Sequence, residues 1–572
     1  MKRIIPLLLI LAMLLSGCLN PPNDSAASES TAPSLNDDNM FTDNDKTEPA
    51  PEGTAITLNG SSASCDSKFV TVSGSIVTIR GAGTYVISGT LNDGSIIVNA
   101  QKSDEVTLVL YGATIHCDEN APIQVHAGKK VILTASKGTE NTVSNGGYFP
   151  TTTSSNIDGA VFSMQDLTIN GSGKLNILSP AGHGIVCKDN LVIAGSVCNI
   201  RSDAHGIDAN DSLRFTDANL TIESGKDGIH VENSEDSSLG FLYISSGTIT
   251  ANSQGDGISA SAYAQISGGI LNLTTGGGAK NGKAHSSQGM PGRPFQAAAQ
   301  TTDDVSSKGI KSGGKLTVTG GELTIDSADD AIHSNSSADI SGGSFIITAG
   351  DDALHADADF TISNGNILVS ESYEGLEAIH ITITGGVLKL NCLDDGINAA
   401  GGNDESGGGG MDGGMFPGRP AGPGHGEVGN GSVIISGGDL YIKSSGDGVD
   451  ANGTLSITGG HTVICGPTRG DTATLDYDKS GIISGGTFIG TGAAGMMAQT
   501  FSSSENQGYM SVSVANQKAG TTITLTDSQG NVLLTHQPEL EFAVIILSCP
   551  QMKSGETYTL SVGTLSQEFK AS

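Results

Sequence analysis

Four carboxylates, Asp330, Asp352, Glu374 and Asp395, recur at intervals of 22, 22 and 21 residues, each two positions ahead of an aliphatic side chain. They belong to a longer series in which a polar, a small and an aliphatic residue follow in order. It reads His183-Gly184-Ile185, His205-Gly206-Ile207, Asp227-Gly228-Ile229, Asp256-Gly257-Ile258, Lys308-Gly309-Ile310, Asp330-Ala331-Ile332, Asp352-Ala353-Leu354, Glu374-Gly375-Leu376, Asp395-Gly396-Ile397 and Asp447-Gly448-Val449. Asp329, Asp351 and Asp394 stand one position earlier, and Asp208, His230, His333, His355, Glu377, Asn398 and Asp450 one position past the aliphatic. If copies of the unit stack, an inward aliphatic sends its polar neighbours outward and the acids form columns. Carboxylates on rungs ~4.8 Å apart repel by on the order of 3 kcal/mol per pair at an effective dielectric of roughly 20. Protonation relieves this, and so does a cation between rungs. Calcium takes oxygen ligands at about 2.3–2.6 Å, so an ion midway between two rungs suits both. Hard oxygen donors with no cysteine beside them favour calcium over transition metals. The candidate ligands are Asp208, Asp227, Asp256, Asp329, Asp330, Asp351, Asp352, Glu374, Glu377, Asp394, Asp395, Asp447 and Asp450. The alternative is an acidic, solvent-facing strip held by partial protonation and water.

Lys308 and Lys311 interrupt the acidic strip. They either compensate the charge of Asp330 and its neighbours or supply a base, since a lysine beside bound calcium can take a proton next to a carboxylate. Two Gly-rich insertions, 277–305 and 401–429, share a phrase, Met290-Pro291-Gly292-Arg293-Pro294-Phe295 and Met415-Phe416-Pro417-Gly418-Arg419-Pro420. One enters just before the repeated corner and the other just after it, so both flank the acidic face. They either fold over it and present Arg293 and Arg419 or act as spacers.

What must position these groups is a repeat. The aliphatic positions step by 22, 22, 29, 52, 22, 22, 22, 21 and 52, and each step of 52 contains one insertion. Further short alternating runs, such as Leu323-Thr324-Ile325 and Ser344-Phe345-Ile346-Ile347, are separated by Gly-Gly pairs as at Gly342-Gly343. Such runs are too short for helices and have period two. A unit of this size cannot bury its own apolar side, but stacked copies can. The expected fold is an all-β, parallel β-helix over residues 54–500, with glycine at corners that need positive φ. After residue 508 longer strands predict a small antiparallel module, 508–572, that covers the solenoid end.

Composition agrees: glycine is 81 of 572 residues, tryptophan is absent and aromatics are 4%. A net charge of −32 excludes nucleic acid as a partner and favours cations. Residues 1–17 read as a signal segment, with Lys2 and Arg3 before an apolar run too short to span a bilayer comfortably. Leu15-Ser16-Gly17-Cys18 resembles the lipobox of bacterial lipoproteins, which implies cleavage before Cys18 and its lipidation. That places the chain, as a monomer, on the outer face of the cell membrane. Residues 18–53 read as a flexible acidic tether. The seven further cysteines form no CxxC motif and read as buried free thiols.

Several stretches resemble a family of secreted carbohydrate-binding β-helix proteins of Gram-positive anaerobes. They are Gly83-Thr84-Tyr85-Val86-Ile87-Ser88-Gly89-Thr90-Leu91, Val106-Thr107-Leu108-Val109-Leu110-Tyr111-Gly112, Asp166-Leu167-Thr168-Ile169-Asn170-Gly171, the Asp-Gly-Ile series, Leu475-Asp476-Tyr477-Asp478 and Gly555-Glu556-Thr557-Tyr558. The resemblance spans roughly residues 54–567. It implies a calcium-loaded, right-handed β-helix that binds plant cell-wall polysaccharide, and it brings Asp476 into the ligand set. Tyr373 is a modest stacking candidate for sugar. A more distant similarity to β-helical pectate lyases implies calcium with a lysine base. Three functions follow: a non-catalytic polysaccharide binder, a calcium-dependent lyase using Lys308 or Lys311, and a surface spacer or adhesin for a protein ligand.

Overall fold

A computed structural model describes residues 35–149, 156–283, 306–399 and 429–572. Almost every regular element is a short strand. The strand Ser344–Ala349 shows why: Phe345, Ile347 and Ala349 are buried while Ile346 between them is exposed. Along the repeats the strands pair in parallel with their equivalents one repeat later, so that Ile332 faces Leu354, Leu354 faces Leu376, Leu376 faces Ile397 and Ile397 faces Val449. Three strands complete a coil, and the pairing carries the chain as an all-β solenoid from Thr54–Gly60 to Ser480–Gly492.

The core is a set of aliphatic ladders. Ile258, Ile310, Ile332, Leu354, Leu376, Ile397, Val449 and Leu475 are fully buried in consecutive coils, and each such burial contributes roughly 1.5–3 kcal/mol. One corner is a column of glycines, Gly321, Gly343, Gly365, Gly386 and Gly438, with φ of +103°, +97°, +123°, +91° and +88°. An L side chain is strained there, which explains the repeated Gly-Gly pairs. The insertions leave the register intact: Ile258 faces Ile310 and Ile397 faces Val449, as if each coil had the ordinary length. Residues 284–305 and 400–428 lie outside the described residues, and Arg293 and Arg419 with them.

The tether reading fails for residues 35–48. Two single turns, Asp37–Met40 and Asp43–Lys46, dock on the solenoid. Leu35 and Phe41 bury against Val192, Ala194, Phe241 and Tyr243. Asp45 is 2% exposed, with Lys130 Nζ at 2.5 Å and the Thr168 hydroxyl at 2.5 Å. Glu48 accepts the backbone N–H groups of Lys137 at 2.7 Å and Ser172 at 3.0 Å. The sequence looked unstructured because these partners lie 85 to 125 residues away.

At the other end, Phe542–Ser548 pairs antiparallel with both Ser480–Gly492 and Tyr509–Gln517, which ends the parallel stacking. Ile523–Thr526, Val532–His536, Thr557–Val562 and Leu565–Lys570 form a separate antiparallel sheet. The seven cysteines from Cys65 to Cys549 are unpaired, and all but Cys65 are buried.

Candidate metal centre

The polar corner is built by the backbone. The N–H two residues before each strand's outward polar residue donates to a carbonyl of the next coil: Gly206 to Asp227, Gly228 to Asp256, Gly257 to Lys308, Gly309 to Asp330, Ala331 to Asp352, Ala353 to Glu374, Gly375 to Asp395 and Gly396 to Asp447. Those acceptor residues are therefore consecutive rungs of one column. Asp208, His230, Ser259, Lys311, His333, His355, Glu377, Asn398, Asp450 and Asp476 face one another in order as a second column. Tyr373 takes its place between Asp351 and Asp394 in a third, since its N–H donates to the Asp351 carbonyl and its carbonyl accepts from Asp394. Asp329 precedes Asp330 by one residue and extends that third column.

The carboxylates have a structural duty that the repeat alone did not reveal. Several residues of the first column lie just outside their strands, and the acid of the preceding coil accepts the N–H. Asp227 Oδ1 accepts from Asp256 at 2.8 Å, Asp256 Oδ1 from Lys308 at 2.8 Å, Asp330 Oδ1 from Asp352 at 3.1 Å and Asp395 Oδ1 from Asp447 at 2.5 Å. Asp447 accepts from Ala473 in the same way. Aspartate thus satisfies an otherwise orphaned amide and keeps a second oxygen for another partner.

What that partner is divides the column. In the middle it is a protein cation. Lys308 is 1% exposed, with its ammonium 3.1 Å from Asp329 and 2.6 Å from Asp330. His333 Nδ1 lies 2.8 Å from Asp330 Oδ2, and His355 Nδ1 lies 3.0 Å from both Asp352 and Glu377. Burial works against the ionised Asp330, but Lys308 and His333 hold it well below the usual carboxylate range. Burial also works against a charged His355, yet Asp352 and Glu377 push it up to about 12. Asp329, Asp330 and Asp352 are buried and Glu377 half-buried rather than solvent-facing. Lysine and imidazolium answer the charge of Asp330 and Glu377, a third remedy beside protonation and metal, while burial, with Asp330, Glu374 and Glu377, holds Asp352 well above the usual carboxylate range. Lys308 is accordingly not an exposed base. Its compensating role is the one seen. Lys311 is half-buried in the second column between Ser259 and His333. Asp208 has its own cation, Lys188 at 3.1 Å.

Beyond His355 the cations stop. Glu374, Asp394, Asp395, Asp447, Asp450 and Asp476 have no ion pair with lysine, arginine or histidine among the described residues. Asp395, Asp447 and Asp450 offer three carboxylate oxygens within 4.8 Å of one another, all half-buried. Burial and the charges of Asp447, Asp394 and Asp450 push Asp395 up to about 8. Burial with Asp447, Asp476 and Asp478 pushes Asp450 up to about 7, burial with Asp476 and Asp394 pushes Asp447 up to about 6, and burial with Glu377 pushes Glu374 up to about 9. Asn398, 9% exposed, stands opposite Asp450 and donates to Glu374 at 2.9 Å, while its Oδ1 is buried without a hydrogen-bond partner. Gly446 completes the shape: a Cβ there falls 2.2 Å from Asp395 Oδ1 and 2.4 Å from Asp394 Oδ1. A site made only of hard oxygens, short of positive charge and carrying an orphan amide oxygen fits a calcium-class ion. Gly446 and the orphan oxygen of Asn398 have no signal in sequence spacing.

Tyr373 is half-buried and its hydroxyl bonds to Asp394, so it belongs to the corner's own network. Cys18 lies outside the described residues.

Three comparisons bear on the whole. A protein from Acetivibrio thermocellus, named carbohydrate-binding domain-containing protein, is 30% identical over 128 residues, which is 22% of this chain and 45% of the relative. The matched stretch thus spans about half of that relative's length. A solved structure titled as the polysaccharide lyase-like protein from C. thermocellum, gadolinium derivative, is 28% identical with a TM-score of 0.38, over 40% of this chain and 92% of that one. The family model described as carbohydrate-binding domain-containing protein matches residues 73–353 and 339–412, a span that holds the columns from Asp208 to Asn398. The chain belongs to the family of carbohydrate-binding domain-containing proteins.

Proposed function

We propose that this protein is a non-catalytic binder of plant cell-wall polysaccharide, anchored outside the cell by a lipid on Cys18, and that calcium on the acidic columns makes the contact. The coils wind right-handed in this reading, as nearly all parallel β crossovers do. The observation that carries it is the centre of Asp395, Asp447 and Asp450 with the orphan Asn398 oxygen. A chain of net charge −32 repels a uronate-bearing polymer unless a cation stands between them. A calcium ion held by three half-buried carboxylates keeps coordination positions open to solvent, and a sugar carboxylate or vicinal hydroxyls can fill them. The absence of tryptophan removes the strongest stacking platform and leaves the polar route.

The test is retention of the purified protein on insoluble pectic polysaccharide with calcium and with chelator. Retention is expected to need calcium and to fall at least about tenfold, ~1.4 kcal/mol, in Asp395→Asn with Asp447→Asn. Retention that ignores chelator would sink the calcium mechanism, and no retention would favour a spacer or protein-binding adhesin. Steady growth of unsaturated product from polygalacturonate would overturn the non-catalytic reading and turn attention to Lys311.

A further inference from the structure

The geometry points to a second metal site, made by His205, Asp227 and His230, that takes a borderline transition ion such as zinc, cobalt or nickel rather than calcium. One ring nitrogen each of His205 and His230 and an Asp227 oxygen lie within 4.8 Å of one another. Asp227 Oδ2 is 2.9 Å from His230 Nδ1 and 3.3 Å from His205 Nδ1. Metal–ligand bonds of about 2.1 Å place neighbouring corners of a tetrahedron ~3.4 Å apart, so an ion enters with little movement. The other Asp227 oxygen is held by the Asp256 N–H at 2.8 Å, which fixes the carboxylate.

Three observations separate this trio from a mere hydrogen-bonded cluster. First, His230 Nε2 lies 3.0 Å from Glu232. Without metal, Nδ1 donates to Asp227 at 2.9 Å, so an ion must displace that proton, after which Glu232 is the usual support of a metal-bound histidine. Second, His205 Nδ1 accepts the Asp227 N–H at 3.1 Å, so that nitrogen carries no proton, and an ion has only to displace this amide from its lone pair. The two rings stack at 4.5 Å, which orients both Nδ1 atoms from successive coils toward one carboxylate. Third, His183 continues the stack at 5.1 Å, and its own Nδ1 is buried with no hydrogen-bond partner.

Access distinguishes the trio from the other histidine clusters. Its side chains are 14–22% exposed, whereas His333 and His355 are buried among Asp330, Asp352 and Glu377. Donor chemistry distinguishes it from the Asp395 centre: two imidazoles and one carboxylate suit zinc-class ions, and calcium avoids nitrogen. Asp227 therefore serves a different ion from Asp395, and the one polar corner sorts metals by the residue type on each rung.

The experiment uses the full chain without an affinity tag, saturated with calcium, titrated with Co²⁺ by visible absorption and with Zn²⁺ by calorimetry. One equivalent is expected to bind, with ligand-field bands of a four- or five-coordinate cobalt. The double variant His205→Ala, His230→Ala is expected to lose it. Glu232→Gln, an exposed change that leaves the fold alone, is expected to weaken it by roughly tenfold, and Asp395→Asn to leave it unchanged. No saturable binding in calcium, or binding retained in the double variant, overturns the inference. Should the double variant fail to fold, an unchanged affinity in Glu232→Gln overturns it instead.

Discussion

Single residues carry the division of the polar corner. Lys308 is the pivot of its middle. Its ammonium sits on Asp329 and Asp330 in the interior, so Lys308→Met leaves two buried carboxylates without their cation. Removing one partner of a buried pair costs about 3–5 kcal/mol, and a correspondingly lower denaturant midpoint is expected. Millimolar calcium is expected to restore part of the loss, since the exposed deficit is then the same kind that exists at Asp395. Gly446 tests the other end. Alanine there drives its methyl into the carboxylates of Asp394 and Asp395, so Gly446→Ala is expected to weaken calcium binding by at least about tenfold while zinc binding stays unchanged. Calorimetry with each ion in turn reads both. Equal calcium affinity in Gly446→Ala would remove this centre from the site.

At the scale of elements, legibility follows from the range of the contacts. The stacking unit was readable because each coil repeats the same local problem: an inward aliphatic, an outward acid, a glycine corner. Ile332, Leu354, Leu376 and Ile397 fall into one ladder as their spacing requires. Pairing inside the corner was readable only in part: Lys308 reads as compensation for Asp330, but the grip of His355 on Glu377 exists only after two coils have stacked. The clasp of residues 35–48 was missed for the same reason. A short acidic run resembles a tether until Lys130, Thr168 and Asn170 are known to surround Asp45. Burial opposes the charge of Asp45, but Lys130, Thr168 and Thr42 lower its pKa overall. A lowered carboxylate pKa contributes stability that is present above its unfolded value and lost as pH falls through the folded one. The clasp is therefore expected to release in acid, and Asp45→Ala to release it at neutral pH at a local cost of about 1–3 kcal/mol. Hydrogen exchange is expected to show lost protection over residues 37–48 with the coils unaffected. Protection that survives Asp45→Ala would assign the docking to Leu35 and Phe41 alone.

For the whole molecule, Asp330 and the Asp395 end of the polar corner oppose each other in their response to pH. Glu374, Asp395, Asp447 and Asp450 are pushed up to about 9, 8, 6 and 7, first by burial and then by the carboxylates around them. A carboxylate whose folded pKa lies above its unfolded value holds more protons in the folded chain. Its contribution is complete below the unfolded value, near 4, and is lost as pH rises through the folded one. The metal-free protein is therefore expected to lose stability between about pH 4 and pH 9 from this cluster. Asp330 acts the other way, since Lys308 and His333 hold its pKa low despite burial, so it weakens the fold only in strong acid. His355, pushed up to about 12, keeps its charge through the same window. Calcium binds the ionised carboxylates and competes with their protons, so its stabilisation must grow as pH rises. Thermal unfolding followed from pH 5 to pH 9 is expected to show a falling midpoint in chelator and a flat or rising one in calcium, the two curves diverging most above pH 7. Asp395→Asn with Asp447→Asn is expected to flatten the chelator curve, because the repelling charges are gone, and to remove the calcium effect. Parallel curves at every pH would place the ion away from these carboxylates, and the polar corner would then be held by protons and protein cations alone.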